Sequence, residues 1–345
     1  MPEVLITGGA GFIGSNAAMR FLRNGWRVIL VDDLSRKGAE ANLQWLTEAG
    51  GDLTFEKGDV RDFGFVKSLM ERYNPSAVIH LAAQVAVTTS VEDPRTDFEI
   101  NALGTFNILE AVRTSGKRPA FLFASTNKVY GAMDDVKIVE KDGAYSYADL
   151  PFGVDEERPL DFHSPYGCSK GAADQYVLDY ARIYDLPTVV FRQSCIYGTR
   201  QFGVEDQGWV AWFTIAAVLG RQITIYGDGK QVRDVLFIDD LIALYEKAVQ
   251  NIELVKGEVF NVGGGPSNTL SLLRLIDMLE RLLGKKIPIS YADWRPGDQK
   301  VFVADIRKAG RLLGWKPRVN PEEGVERLLR WVQENEALLA GYVGP

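Results

Sequence analysis

The chain has 345 residues, 46% of them hydrophobic and 25% charged, which is ample for one large domain or two smaller ones around a real core and excludes disorder as the default. A net charge of -7 with acids and bases interspersed excludes a basic track for nucleic acid or an anionic membrane. Cys168 and Cys195 form no CxxC and the two histidines lie far apart, so no metal is expected and both cysteines read as reduced thiols.

The start, MPEVLITGG, enters a strand pattern with no basic leader, and no apolar run reaches the roughly 18 residues of a membrane span. A soluble cytoplasmic protein is expected. Short apolar runs then alternate with helical patterns: VLITG at 4–8, VILVD at 28–32, LTFEKGD at 53–59, AVIHLAA at 77–83, AFLFAST at 120–126 and TVVFRQS at 188–194. This alternation predicts an α/β fold, a Rossmann-type doubly wound parallel sheet with helices on both faces. Ligands bind outside the carboxyl ends of such strands, which draws attention to the closing residues Gly8, Asp32, Asp59, Ala82, Thr126 and Ser194. The stretch 133–163 reads as an excursion above that rim, either a lid or an ordinary surface loop. Beyond residue 200 the alternation fades, with further strands expected at EVFNVGG and VFVAD. The expected division is a dinucleotide-binding domain over 1–194, with about 235–263 and 300–306, and a smaller interleaved substrate lobe over about 195–234 and 264–345.

Three sets of residues carry chemistry. In GGAGFIG, Gly8, Gly11 and Gly14 follow a strand and open a helical pattern, the arrangement that lets backbone amides approach a pyrophosphate at a helix N-terminus. Asp32 closes the next strand, where a carboxylate accepts from the adenosine ribose hydroxyls; it favours NAD over NADP, although Arg36 and Lys37 lie nearby. Asp59 is a candidate for the adenine edge or a simple turn aspartate. In SPYGCSK, Tyr166 and Lys170 are four apart at the start of a helix, so phenol and ammonium share one face, and the cation is expected to lower the tyrosine pKa toward that of a general base. Thr126 would then hydrogen-bond the substrate alcohol whose proton Tyr166 removes, with Lys170 also holding the nicotinamide ribose. His80 reads as a packed histidine, and His163 as a cap or a substrate contact.

GGAGFIG, HLAAQ, STNKVYG, SPYGCSK, IYGTRQFG, YGDGKQVRD and RPGDQ together resemble the extended short-chain dehydrogenase/reductase family, specifically its nucleotide-sugar epimerases and dehydratases. The resemblance covers nearly the whole chain and implies Thr126, Tyr166 and Lys170 as the catalytic triad. It implies a cofactor site of Gly8, Gly11, Phe12, Ile13, Gly14, Asp32, Asp59, Val60, Leu81, Ala82, Gln84 and Asn101, with Arg36 beside it and Tyr166 and Lys170 at its nicotinamide end. Arg233 in VRD and Arg295 in RPGD resemble the family's phosphate-binding arginines, suited to phosphate by their planar forked donors. Arg200 and Gln201 are expected at the rim near the diphosphate. Cys195 departs from an asparagine common in relatives.

The residues after Thr126 choose among reactions. The family's 4,6-dehydratases carry Asp-Glu here, whereas this chain has Asn127 and Lys128. An amide exchanges no useful proton near neutrality, and lysine acts as a base only with a strongly lowered pKa. Dehydration is therefore disfavoured, and Asn127 and Lys128 read as groups that orient substrate. The long stretches STNKVYG, RQFGVEDQGWV and DQKVFVADI resemble the family's branch acting at C2 of a CDP-linked hexose. A 4-epimerase, a decarboxylase or a non-catalytic NAD-binding regulator remain the alternatives. The apolar-faced helices 98–114 and 166–184, with Phe106, Leu109, Tyr176 and Tyr180, either simply pack on the sheet or, as the same resemblance implies, form the interface of a homodimer.

Overall fold

Apolar β-branched runs with few polar breaks can be buried on both faces, and they form the central sheet of this computed structural model, which describes residues 1–295 and 298–342. Pro296 and Gly297, the centre of the RPGD motif, lie outside the described residues. The strands are β1 (Glu3–Thr7), β2 (Arg27–Asp32), β3 (Leu53–Lys57), β4 (Ala77–His80), β5 (Ala120–Thr126), β6 (Thr188–Gln193) and β7 (Val259–Val262). All are parallel, in the order β7-β6-β5-β4-β1-β2-β3. The winding reverses between β1 and β4, so a crevice opens at their carboxyl ends. Leu5, Ile29, Val78 and Phe121 face one apolar layer and Val4, Ile6, Leu30 and Ile79 the other, all at 0% exposure. Each such side chain contributes roughly 1.5–3 kcal/mol by leaving water.

Six expected strands are present, but four stop early. Gly8, Asp59, Ala82 and Ser194 stand one or two residues past the strand ends. Glycine and aspartate favour turns, so a run that looks continuous in sequence loses its ladder there.

Helix α1 (Phe12–Arg23) follows the glycine turn. The stretch expected as one helix over 98–114 divides into a π-helical turn, Glu99–Leu103, and α2 (Gly104–Thr114). Helix α3 (Ser164–Tyr184) begins two residues before the expected start, with Pro165 in its first turn, where a missing N–H costs nothing.

A second sheet pairs Val232–Phe237 with Cys195–Tyr197, Thr269–Ser271 and Val301–Phe302. VFVAD thus contributes a two-residue strand beside Val232 and Arg233, whereas EVFNVGG supplies β7 of the main sheet. Over 133–163 the chain forms a hairpin, Ile138–Lys141 with Ala144–Tyr147. It is tied to the turn before Val232 by Tyr145 donating to Asp228 (2.5 Å) and Lys230 to Glu140 (2.7 Å). Among the described residues no helix is long and apolar enough to cross a membrane, and no group of three or more His, Cys, Asp or Glu side chains could hold a metal.

Candidate active site

The crevice of about 360 Å³ between β1 and β4 is shaped by the glycine turn. Gly8 has φ +64, and a Cβ there would lie 2.7 Å from the Ala82 nitrogen; a Cβ on Gly14 would lie 2.3 Å from the Gly8 carbonyl oxygen. Only glycine lets these segments close up, and α1 starts at Gly11 without a side-chain cap. Its first N–H groups therefore remain available to an anion. Asp32, 8% exposed, accepts from Ala10 N (3.0 Å) through one oxygen and Leu34 N (2.8 Å) through the other. Burial pushes its carboxyl up, and those two N–H groups oppose the rise. These features fit a dinucleotide: a pyrophosphate cradle, then a carboxylate one strand away.

Fourteen of the expected cofactor residues line this crevice: Gly8, Gly11, Phe12, Ile13, Gly14, Asp32, Arg36, Asp59, Val60, Leu81, Ala82, Gln84, Tyr166 and Lys170. Asn101 does not. It is buried behind the wall, where it donates to the Gln84 carbonyl (3.0 Å) and accepts from Gln84 N (2.9 Å), fixing the crevice loop. His80 bridges Thr7 (2.6 Å) and Thr105 (2.9 Å), and burial drives it down to about 3, so it is a neutral core group as expected.

At the inner end of the crevice Tyr166 stands beside the end of β5 and shares a hydrogen bond with the Thr126 hydroxyl, although Thr126, 6% exposed, is not itself among the residues lining the crevice. Thr126 also accepts from Lys128 N at 3.2 Å, capping the turn Asn127–Tyr130. Tyr166 differs from the expectation. Burial raises its pKa to about 12, opposed by the Thr126 hydrogen bond. The Lys170 ammonium points instead at the Ala124 carbonyl (2.6 Å) and lies 4.2 Å over the Phe123 ring, and burial brings its own pKa to about 7. The four-residue spacing places both groups on one face, but β5 captures the longer side chain. A cationic ring in the crevice would favour the phenolate from the other side.

A second cavity, about 510 Å³, lies beyond the turn after Thr126. Lys128, Arg233 and Arg295 line it with Asp298, Glu205 and Asp206, opposite a wall of Trp209, Trp212, Phe213 and Tyr226. Arg233 pairs with Asp298 (2.7 Å), and Arg295 pairs with Asp206 (2.9 Å) and lies 3.9 Å over the Tyr226 ring. Burial, then the Arg233 charge, lowers the Lys128 ammonium to about 8. Asn127 is 9% exposed and faces Thr126 (3.5 Å) instead of this cavity. Val85 and Gln207 line both cavities, which therefore adjoin there.

Arg200 and Gln201 line the dinucleotide crevice, not the second cavity. Arg200 has φ +67 and its guanidinium lies 4.3 Å over Trp45. His163 precedes α3 and contacts Asp161 (3.0 Å). Cys195 is half-buried, its thiol pushed up to about 12 by desolvation, and Cys168 is exposed and free. Sequence reasoning missed the aromatic wall, whose signal was the run GWVAWF, and a buried network behind the triad. In that network Arg192 clasps Asp174 (3.0 Å twice), Ser125 donates to Asp174 (2.7 Å), and Arg192 reaches the Tyr130 hydroxyl (3.0 Å). It locks the strand end that carries Thr126.

Comparisons with known proteins agree with this geometry. The family described as GDP-mannose 4,6 dehydratase matches residues 5–328. The chain is 48% identical over 334 residues to CDP-paratose 2-epimerase of Salmonella typhi, covering 95% of this chain and 98% of that protein. A crystal structure of UDP-glucose 4-epimerase from Thermotoga maritima, with UDP-glucose, superimposes with a TM-score of 0.82 at 32% identity, covering 96% of this chain and 99% of the other. The Thermus thermophilus UDP-glucose 4-epimerase complex with NAD gives 0.81 at 30% identity, again covering 96% and 99%.

Proposed function

The chain belongs to the NAD-dependent family of nucleotide-sugar epimerases and dehydratases, and is itself an epimerase; from that premise we propose that it inverts C2 of a CDP-linked hexose through a transient 2-keto sugar. CDP-paratose to CDP-tyvelose is the proposed conversion, with CDP-glucose a further substrate. The observation that carries this reading is the pair Asn127–Lys128 directly after Thr126, where one residue is an amide and the other a cation facing the second cavity. The amide exchanges no useful proton, and Lys128, lowered to about 8, supplies one titrating group where elimination of water needs both an acid and a base beyond the tyrosine. A reaction confined to one carbon needs only the base already present at Tyr166.

In this reading the crevice residues hold NAD, which supplies a two-electron acceptor and later returns what it accepted. Tyr166 takes the proton of the C2 hydroxyl, Thr126 positions that hydroxyl, and Lys170 binds the nicotinamide ribose. Tyr166 afterwards returns the proton to the reduced ketone. Arg233 and Arg295 hold the diphosphate and Lys128 orients the sugar, so the anchored nucleotide lets the hexose turn its other face within the cavity. Arg200 and Gln201, by their position, serve the cofactor side. The same reading includes a homodimer, supported by a face on which Phe98, Leu103, Phe106, Tyr176, Ile183 and Tyr184 are exposed.

The test is incubation of purified enzyme with CDP-glucose and with UDP-glucose, followed by NMR of the sugar. The expected product is the C2 epimer from CDP-glucose. Inversion at C4, or a preference for UDP-glucose, overturns the assignment in favour of a 4-epimerase.

A further inference from the structure

A fully buried carboxylate beside the catalytic turn has no part in the steps above. Asp97, 0% exposed, accepts from Ser169 Oγ (2.5 Å), Gln84 Nε2 (3.0 Å) and Asn101 Nδ2 (3.1 Å). The three donors come from three elements: the turn of α3 that carries Tyr166 and Lys170, the crevice loop after β4, and the π-helical turn. All three are neutral. Burial pushes the Asp97 carboxyl up, and its bonds from Ser169 and Gln84, then the Lys170 charge, oppose the rise; an ionised carboxylate among neutral donors is costly unless a cation stands near. Arg192 is already clasped by Asp174, itself 0% exposed. Lys170 is different, since its ammonium donates to a backbone carbonyl and not to a carboxylate.

We propose that Asp97 is a positioning residue of the hydride-transfer centre: through Ser169 it fixes the Tyr166–Lys170 turn against the crevice loop, and its negative charge keeps Lys170 an ammonium. This rests on the roles given above to Tyr166 and Lys170. The groups facing Lys170 are Asp97, Asp174 with its partner Arg192, the neutral His80 and, on its own helix, Tyr166. Burial draws Lys170 down, and Asp174 and Asp97 oppose that fall. Tyr166, raised first by burial, is raised further by the Asp97 charge. Removing that charge therefore has one sign at both groups: Lys170 loses its proton at lower pH, and Tyr166 ionises at lower pH.

Asp97→Asn removes the charge at constant shape. The Ser169 hydroxyl can turn its proton to the Tyr166 carbonyl, already 3.2 Å away, and accept from the new amide. The experiment is the pH profile of kcat for the NAD-loaded enzyme, read with whichever nucleotide sugar it turns over. A wrong sugar or carbon thus defeats the reading above while leaving this test intact. Both limbs of the Asp97→Asn profile are expected to move acidward by about 1 pH unit. Ser169→Ala, which keeps the charge and loses the bridging hydroxyl, is expected to lower kcat at every pH without moving the limbs. Limbs that stay in place in Asp97→Asn, or move equally in Ser169→Ala, overturn the proposal. Should Asp97→Asn not fold, Asp97→Ser is smaller, equally neutral and carries the same expectation.

Discussion

Thr126→Val keeps the branched shape at the end of β5 and deletes the hydroxyl that faces Tyr166. Two bonds depend on that oxygen: the hydrogen bond with Tyr166, which holds the phenol below where burial alone would put it, and the Lys128 N–H at 3.2 Å. A hydrogen bond to an ionised partner contributes about 1.5–3 kcal/mol, so if it acts fully on the phenolate, kcat falls roughly 10- to 150-fold. The sign on pH follows from the same bond. Its loss raises the Tyr166 pKa further, so the acid limb of the rate profile moves to higher pH. The stranded Lys128 N–H costs roughly 1 kcal/mol of stability, visible as a small drop in Tm. Turnover is measured by NMR of CDP-glucose conversion across pH, with Thr126→Ser as the control that restores the hydroxyl and most of the rate. A valine variant within twofold of the parent enzyme, with its acid limb in place, refutes the assignment of Thr126 to the reacting hydroxyl.

Gly8→Ala adds a Cβ at φ +64 within 2.7 Å of the Ala82 nitrogen, so NAD affinity is expected to fall at least about tenfold, read by calorimetric titration of the stripped protein. Lys128 loses its charge as pH rises through about 8, so KM for the nucleotide sugar should climb above that pH in the parent enzyme. Lys128→Met should show a raised KM with no such climb, and a pH-dependent KM in that variant counts against the role. His80 titrates near 3 when folded against an ordinary 6.5, so below about pH 6.5 the unfolded chain binds a proton that the native state refuses. Stability should therefore fall on acidification by up to about 1.4 kcal/mol per pH unit from this group alone. His80→Gln should flatten that part of a pH series of urea unfolding curves.

The reach of sequence reasoning followed the range of the interactions involved. GGAGFIG and Asp32 were legible because a tight turn and a strand end are local features, and the structure gathers them into one crevice. The spacing of Tyr166 and Lys170 correctly set a shared helix face. It could not show how deep that face lies, and depth decides that Tyr166 is raised and that Lys170 turns to the Ala124 carbonyl. Arg200 lines the dinucleotide crevice at a positive φ, a backbone feature that the run IYGTRQFG does not announce. Asp97 and Asn101, four residues apart, meet Gln84 and Ser169 across the fold, and Arg192, Ser125 and Tyr130 gather around Asp174 on the same helix as Ser169. Such pairings leave no periodicity in the sequence, since each partner is chosen by the packed fold.

The central claim, that hydrogen leaves C2 and returns to C2 without passing through water, is tested most directly with CDP-hexose carrying deuterium at C2, turned over in ordinary water. The account predicts a C2 epimer that retains its deuterium at C2. Deuterium exchanged for solvent hydrogen in the product would contradict it.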